Sequence, residues 1–281
     1  MKVAITGADG MLGRAMQKIF SDTELIPFSH ASLDITDLDH AVKTLRDSRP
    51  DILIHTAAFT DVDACETDPE KAYLVNGIGA RNMAIACEEI RCPIFHISSD
   101  YVFDGTKGSP YDEWDKTNPI NHYGLSKLMA EQFVSSLTNR FYIVRTSWLY
   151  GAHGRNFVDT IIRLLAGNDS LQVVSDQFGS PTFTEDLAAT LRQLIGKGYG
   201  TYHVTNSGVC TWHEFAVKIS DLIRIDKPII PVTSEEFRRP ARRPTQSGLN
   251  NTMLRLEGIA HLRHWSAALE QHIKQNYSGR V

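Results

Sequence analysis

Val3-Ala4-Ile5-Thr6-Gly7-Ala8-Asp9-Gly10-Met11-Leu12-Gly13 decides the fold. A short apolar run rich in β-branched residues passes straight into G-x-x-G-x-x-G, and the residues from Leu12 to Phe20 keep helical spacing. The stretch therefore reads as strand, glycine turn and helix. A helix N-terminus offers unpaired N–H groups and the positive end of the helix dipole to an anion, and side chains at the glycines would keep a dinucleotide pyrophosphate off the backbone. With 19 Gly in 281 residues, three at this spacing arise by chance about 0.09 times per chain. The strand-to-helix context makes the reading specific; the alternative is a turn whose glycines serve only tight packing.

Outward from this seed the rhythm repeats. Apolar runs at Ile52 to Ala58, Ile94 to Ser98 and Tyr142 to Thr146, with Glu24 to Phe28 as a further strand, alternate with helical spacing at Leu38 to Ser48, Glu70 to Ile90 and His122 to Leu137. That alternation predicts βαβ units around a buried parallel sheet. The expected class is α/β, a Rossmann-type doubly wound parallel sheet over residues 1-150. Beyond Gly151 the spacing loosens into helices at Asn156 to Leu165, Glu185 to Ile195, Trp212 to Ile223 and Ser266 to Lys274, with a strand at Tyr202 to Thr205. Residues 151-281 read as a smaller mixed α/β region, with the segment near 172-196 returning to the first. No repeat, low-complexity tract or flexible linker separates the two.

Composition excludes other classes. Hydrophobic residues make up 42% and charged residues 22%, and 29 Lys+Arg against 33 Asp+Glu give a net charge of -4. These values are globular and leave no global field for nucleic acid. Cys65, Cys87, Cys92 and Cys210 form no C-x-x-C pair and read as reduced cytosolic thiols. No apolar run reaches the roughly 18 residues of a membrane span, and the N-terminus lacks a targeting pattern. A soluble cytoplasmic protein is expected.

The second strand bears on cofactor choice. NAD binding usually places an acid at its end for the ribose 2′-hydroxyl, whereas here Pro27-Phe28-Ser29-His30 has none. NADPH is favoured over NADH, although no Arg is at hand for its 2′-phosphate. Asp34, the next acid, is read as a cap of the following helix, an adenine-side contact, or both.

His122-Tyr123-Gly124-Leu125-Ser126-Lys127 opens a predicted helix, so Tyr123 and Lys127 share a face. A phenol of pKa near 10 is a poor acid–base group at neutral pH, and a neighbouring ammonium brings it towards the working range. Nine Tyr and eleven Lys give about 0.35 accidental matches to Y-x-x-x-K, so the pair alone is weak. Ser98 and Ser99 strengthen it. They leave the Ile94 strand at its carboxyl end, where open α/β sheets bind ligands, and one of them is positioned to hydrogen-bond a substrate carbonyl while the other serves the turn.

Ser99-Asp100-Tyr101-Val102-Phe103-Asp104-Gly105, Tyr123 to Lys127, Arg145-Thr-Ser-Trp-Leu-Tyr-Gly151 and Asp176-Gln-Phe-Gly-Ser-Pro-Thr182 together resemble the dTDP-4-dehydrorhamnose reductase family of the extended short-chain dehydrogenase/reductases, over nearly the whole chain. The resemblance implies hydride transfer from a nicotinamide to the 4-keto carbon of a dTDP-hexulose, in the last step to dTDP-L-rhamnose. It implies that Tyr123 protonates the forming alkoxide, that Lys127 lowers the pKa of Tyr123 and holds the nicotinamide ribose, and that Ser99, where many relatives have Thr, polarises the ketone. Cofactor contacts fall on Gly7, Gly10, Met11, Leu12, Gly13, Asp34, Ile35, Ala58, Phe59, Thr60 and Asn76. Substrate contacts fall on Val102, Trp148 and the Asp176 to Thr182 loop, in a C-terminal substrate-binding region. Trp148 also fits a plain core aromatic.

Some relatives dimerise through magnesium held by glutamates, one of them two residues after the last loop glycine. Here that position is Ala15, so although Glu185 matches a second ligand position the hard-cation site lacks a carboxylate. The expectation is no metal and a monomer. Phe237-Arg238-Arg239-Pro240-Ala241-Arg242-Arg243-Pro244 is too short for nucleic acid, and Arg242 or Arg243 is assigned to the substrate diphosphate, against a solvated loop. The eleven histidines form no metal-spaced cluster. Two rival readings remain: a reductase of another nucleotide-4-keto-sugar, and a non-catalytic dinucleotide-binding regulatory subunit such as that of methionine adenosyltransferase.

Overall fold

A six-stranded, fully parallel sheet organises the computed structural model, which describes residues 1–277. Its strands are β1 (Lys2–Thr6), β2 (Glu24–Phe28), β3 (Ile52–His55), β4 (Ile94–Ser99), β5 (Phe141–Thr146) and β6 (Gly200–His203), in the spatial order β2-β1-β3-β4-β5-β6. The chain leaves β1 for β2 and returns to the other side of β1 for β3, so a crevice opens beyond the carboxyl ends of β1 and β3.

Both faces of the sheet are covered, as the continuous apolar runs require. Val3, Ile5, Ile52, Ile54, Phe95 and Val144 face one core with helices Met11–Ile19 and Thr184–Leu194. Ala4, Leu53, Ile94 and Ile143 face the other with helices Leu38–Ser48, Gly79–Glu89 and His122–Leu137. The period of two along each strand sends neighbours to opposite layers.

The chain departs from the sequence reading in three places. The single helix expected over Glu70 to Ile90 is interrupted by a π-helical turn at Tyr73–Ile78, between Pro69–Ala72 and Gly79–Glu89. The apolar run to Ala58 stops being strand after His55. The third is the strand near Tyr202, which extends the large sheet as β6, paired with β5 in register Tyr202↔Val144. Of the segment near 172-196, Thr184–Leu194 returns to the sheet, whereas Leu171–Val174 pairs with Ile229–Val232. That second pair escaped notice because Ile230 and Pro231 are exposed on a short edge. Around it a third core gathers Tyr150, Phe183, Phe215, Trp265 and Leu269. No helix among the described residues is long and apolar enough to cross a membrane.

Candidate functional site

At the carboxyl end of the sheet lies a cavity of about 410 Å³ whose wall includes Gly7, Gly10, Met11, Leu12 and Gly13 on one side and Ser99, Tyr123 and Lys127 on another. A more open depression of about 380 Å³ between Val217 and Ile229 shares none of these residues.

The glycine loop is built for close approach. Gly7 has φ +65, in the left-handed region, and a Cβ on Gly13 would stand 2.3 Å from the Gly7 carbonyl oxygen, a separation no side chain tolerates. Gly10 caps helix Met11–Ile19 without any side-chain hydrogen bond to the first-turn amides, so those N–H groups face the cavity wall free for an anion. Ala58 and Thr60 line the same cavity. The donors and the space fit a dinucleotide pyrophosphate.

Other residues assigned to the cofactor lie behind the wall. Asn76 is fully used as a fastener: its Oδ1 accepts from the Phe59 amide at 2.7 Å, and its Nδ2 donates to the Phe59 carbonyl and to Ser126 Oγ, both at 2.9 Å. It fixes the Phe59–Thr60 loop to the Tyr123 helix. Ile35 is core and packs over Gly79, and Phe59 carries Lys71 Nζ 4.8 Å above its ring. Asp34 does not cap the next helix. Its carboxylate accepts from the Thr36 amide and hydroxyl at 2.9 and 2.7 Å, while Asp37 accepts from the His40 amide as the N-cap.

The helix His122–Leu137, capped by Asn121 through the Gly124 amide at 2.8 Å, aims Tyr123 and Lys127 from successive turns. Ser98 and Ser99 separate as alternation demands. Ser98 Oγ donates to Glu131 Oε1 at 2.5 Å, and Ser99 Oγ donates to Asp100 Oδ1 at 2.9 Å and accepts from the Tyr101 amide at 3.1 Å. Tyr101 packs edge-on against Tyr123, with ring centroids 5.8 Å apart.

Burial governs the electrostatics. Tyr123 is half-buried as a residue, and burial of its hydroxyl pushes its pKa up, eased by the neighbouring Ser99. The expected lowering by Lys127 is not seen: Ser99 alone lowers the value, while Asp100 and Cys65 add to the rise. Burial lowers Lys127 to about 8, partly offset by Glu131. Its ammonium has no hydrogen-bond or ion-pair partner among the described residues, as suits a group that would hold a ribose. Asp100 rises to about 7 through burial, held back by Ser247 and Ser99. His55 and His96, ring to ring at 5.5 Å, stay neutral because burial and Lys127 depress them, His55 to about 3.

On the substrate side, Trp148 lines the cavity, but Val102 does not. Its side chain is buried with Phe103, Tyr111 and Leu249, and its carbonyl accepts from the Asn118 amide at 2.8 Å. Arg243 pairs with Asp63 at 2.9 Å and Arg239 joins it at 3.2 Å, tying the basic stretch to the helix after Thr60. Arg242 is exposed, and its carbonyl accepts from Asn121. Ala15 is buried in the core, and Glu185 is paired with Lys18 at 2.6 Å. Among the described residues no group of three or more His, Cys, Asp or Glu is placed to hold a metal ion. Sequence reading missed Asp100, Tyr101, Arg155 and Trp212, all on the cavity wall. Asp100 and Tyr101 stood in the quoted motif, adjacent to Ser99, whereas Trp212 carried no local signal.

A doubly wound parallel sheet with its glycine loop, and a serine, tyrosine and lysine converging beside it, define a short-chain dehydrogenase/reductase. Within that class the chain belongs to the RmlD substrate binding domain family, whose model matches residues 1–278. It is 40% identical over 277 residues to the dTDP-4-dehydrorhamnose reductase of Streptomyces griseus, covering 95% of this chain and 91% of that one. It is also 40% identical to the spore coat polysaccharide biosynthesis protein SpsK of Bacillus subtilis, covering 99% and 98%. Among solved structures it superposes on the dTDP-4-dehydrorhamnose reductase of Bacillus anthracis in complex with NADP, with a TM-score of 0.96 at 43% identity over 98% of this chain and 99% of that one.

Proposed function

We propose that the chain reduces the 4-keto group of dTDP-4-dehydro-L-rhamnose to dTDP-L-rhamnose, using NADPH. The observation that carries the reading is the convergence of Ser99, Tyr123 and Lys127 on the cavity that the glycine loop also lines. Relatives named dTDP-4-dehydrorhamnose reductase, one of them solved with NADP, support the sugar and the cofactor.

NADPH would supply the hydride. The amides of Met11 and Leu12 would hold its pyrophosphate, and Lys127 its nicotinamide ribose. The upward shift keeps Tyr123 protonated at neutral pH, so its Oη–H is ready to pass a proton to the ketone oxygen as negative charge develops there. Lys127 then stabilises the tyrosinate left behind. Ser99 orients the ketone by hydrogen bonding. When Asp100 is protonated, its carboxyl can donate to Ser99 Oγ, which frees the serine proton for the substrate. Arg242, exposed on the basic loop, is assigned to the diphosphate, and Trp148 to the body of the substrate.

The test is NADPH consumption with dTDP-4-dehydro-L-rhamnose generated in situ. Tyr123→Phe should lower kcat by ~10² or more while NADPH still binds, the loss typical of removing one donor to a developing oxyanion. Near-normal turnover by that variant would remove Tyr123 from its role. A 38% identical relative named dTDP-4-keto-6-deoxy-D-glucose reductase makes that sugar the comparison substrate, and a higher kcat/KM for it would reassign the sugar.

A further inference from the structure

Trp148 follows β5 with φ +48, a left-handed backbone that a bulky residue adopts only when its surroundings impose it. Its carbonyl accepts from the Thr182 amide at 3.2 Å, and two neighbours hold its indole. Its indole stacks on Trp212 with centroids 3.4 Å apart and planes 6° from parallel. On another side it presses against Gly179, where an added Cβ would stand 2.4 Å from its Cε2. The same small antiparallel ladder fixes both neighbours, because Cys210 pairs with Gly179 and Thr211 with Phe178. Thr211 caps the helix that Trp212 begins through a reciprocal box: it accepts from the Glu214 amide at 3.0 Å, and its own amide donates to the Glu214 carboxylate at 2.7 Å. Phe157 backs Trp212 at 4.5 Å. Both indoles line the cavity that Ser99, Tyr123 and Lys127 line.

We infer that Trp212 is a positioning residue for substrate binding, holding Trp148 in its strained pose over the cavity so that the indole meets the nucleotide sugar preorganised. The inference rests on the assignment of Trp148 to the substrate. A stacked aromatic pair contributes modestly beyond its buried area, and a binding group released into several rotamers loses affinity without altering the reacting atoms. The effect therefore belongs in KM and not in kcat.

The experiment compares Trp148→Leu, Trp212→Leu, Trp212→Phe, Gly179→Ala and the Trp148/Trp212 double variant. It measures kcat and KM for dTDP-4-dehydro-L-rhamnose, NADPH affinity, and the near-ultraviolet circular dichroism of the indole pair. Trp212→Leu and Gly179→Ala should each raise KM about five- to tenfold with kcat within about twofold and NADPH affinity unchanged, in line with lost aromatic stacking. Trp212→Phe, which keeps a ring in the stack, should recover most of the loss, and the double variant should be no worse than Trp148→Leu. The coupled indole signal should vanish in either Trp→Leu variant.

If Trp148→Leu leaves KM unchanged, the substrate role of Trp148 falls and the inference with it. If Trp148→Leu raises KM while Trp212→Leu does not, or if the two losses add in the double variant, only the inference falls. Should wild-type protein turn over no dTDP-4-dehydro-L-rhamnose, the proposed function fails by itself. The same variants are then ranked by calorimetric affinity for dTDP in the presence of NADPH, and equal affinities overturn the inference.

Discussion

Lys127 shows how far the site is from the stability optimum at the scale of one residue. A buried ammonium without a paired carboxylate costs free energy, and its pKa near 8 instead of 10.5 reports that cost. Lys127→Met should therefore raise the melting temperature of the cofactor-free protein at pH 7 by about 2–4 °C or more while abolishing turnover. Calorimetry checks the first outcome, and a lowered melting temperature would mean that the ammonium has a stabilising partner after all. Asp100 gives the complementary pH dependence. Its pKa is about 7 in the folded chain against an ordinary 3.8, so between those values the folded chain holds the proton and the unfolded chain does not. Stability attributable to Asp100 thus falls as pH rises from about 4 to about 7. In urea titrations across that range, Asp100→Asn should gain on the wild type with rising pH; parallel curves would show that Asp100 ionises freely.

At the scale of elements, one buried ion pair fastens the Tyr123 helix to the sheet. Glu131, one turn beyond Lys127, accepts from Arg145 Nε at 2.9 Å and from its terminal nitrogen at 2.8 Å, while also accepting from Ser98. Both side chains are under 10% exposed, at 6% and 7%. Glu131→Ala would strand the guanidinium, at a cost of about 3–5 kcal/mol, measurable by chemical denaturation; a loss below about 1 kcal/mol would mean that water replaces the carboxylate. Elements of this kind were legible in sequence wherever local pattern decides them. Leu38–Ser48, His122–Leu137 and Trp212–Ile223 fall where helical spacing puts them, because their apolar stripes and polar caps are local features. The π turn at Tyr73–Ile78 was not, since it serves to bring Asn76 to Phe59 and Ser126, partners 17 and 50 residues away. Ser99, Tyr123 and Lys127 were legible through motif spacing, whereas Trp212 reaches the cavity only through the pairing of Cys210 with Gly179.

For the whole molecule, residues on both sides of position 150 share a single core. Strand β6 supplies the edge that pairs with β5, and helix Thr184–Leu194 buries Leu187, Ala188, Leu191 and Leu194 against Val3, Met16 and Phe20. Each fully buried leucine is worth about 1.5–3 kcal/mol, so the three together rival the entire stability of an ordinary domain. Tyr142 stacks on Phe95 at 4.2 Å and sends its hydroxyl to the Lys197 carbonyl at 2.8 Å, and Arg145 approaches His203 at 3.5 Å. A fragment of residues 1–150 would keep the Phe95 stack and the Glu131 pair but lose the Lys197 and His203 partners, and it would expose the β5 edge to association. It should therefore be expressed as an aggregating or dye-binding species without a cooperative thermal transition, despite containing the complete glycine loop and Tyr123 helix. Extending the fragment through Thr205 should restore much of the near-ultraviolet signal, because it returns both the helix and β6. A sharp melting transition in the 1–150 fragment would mean that the cofactor half folds alone and that the later segment merely docks onto it.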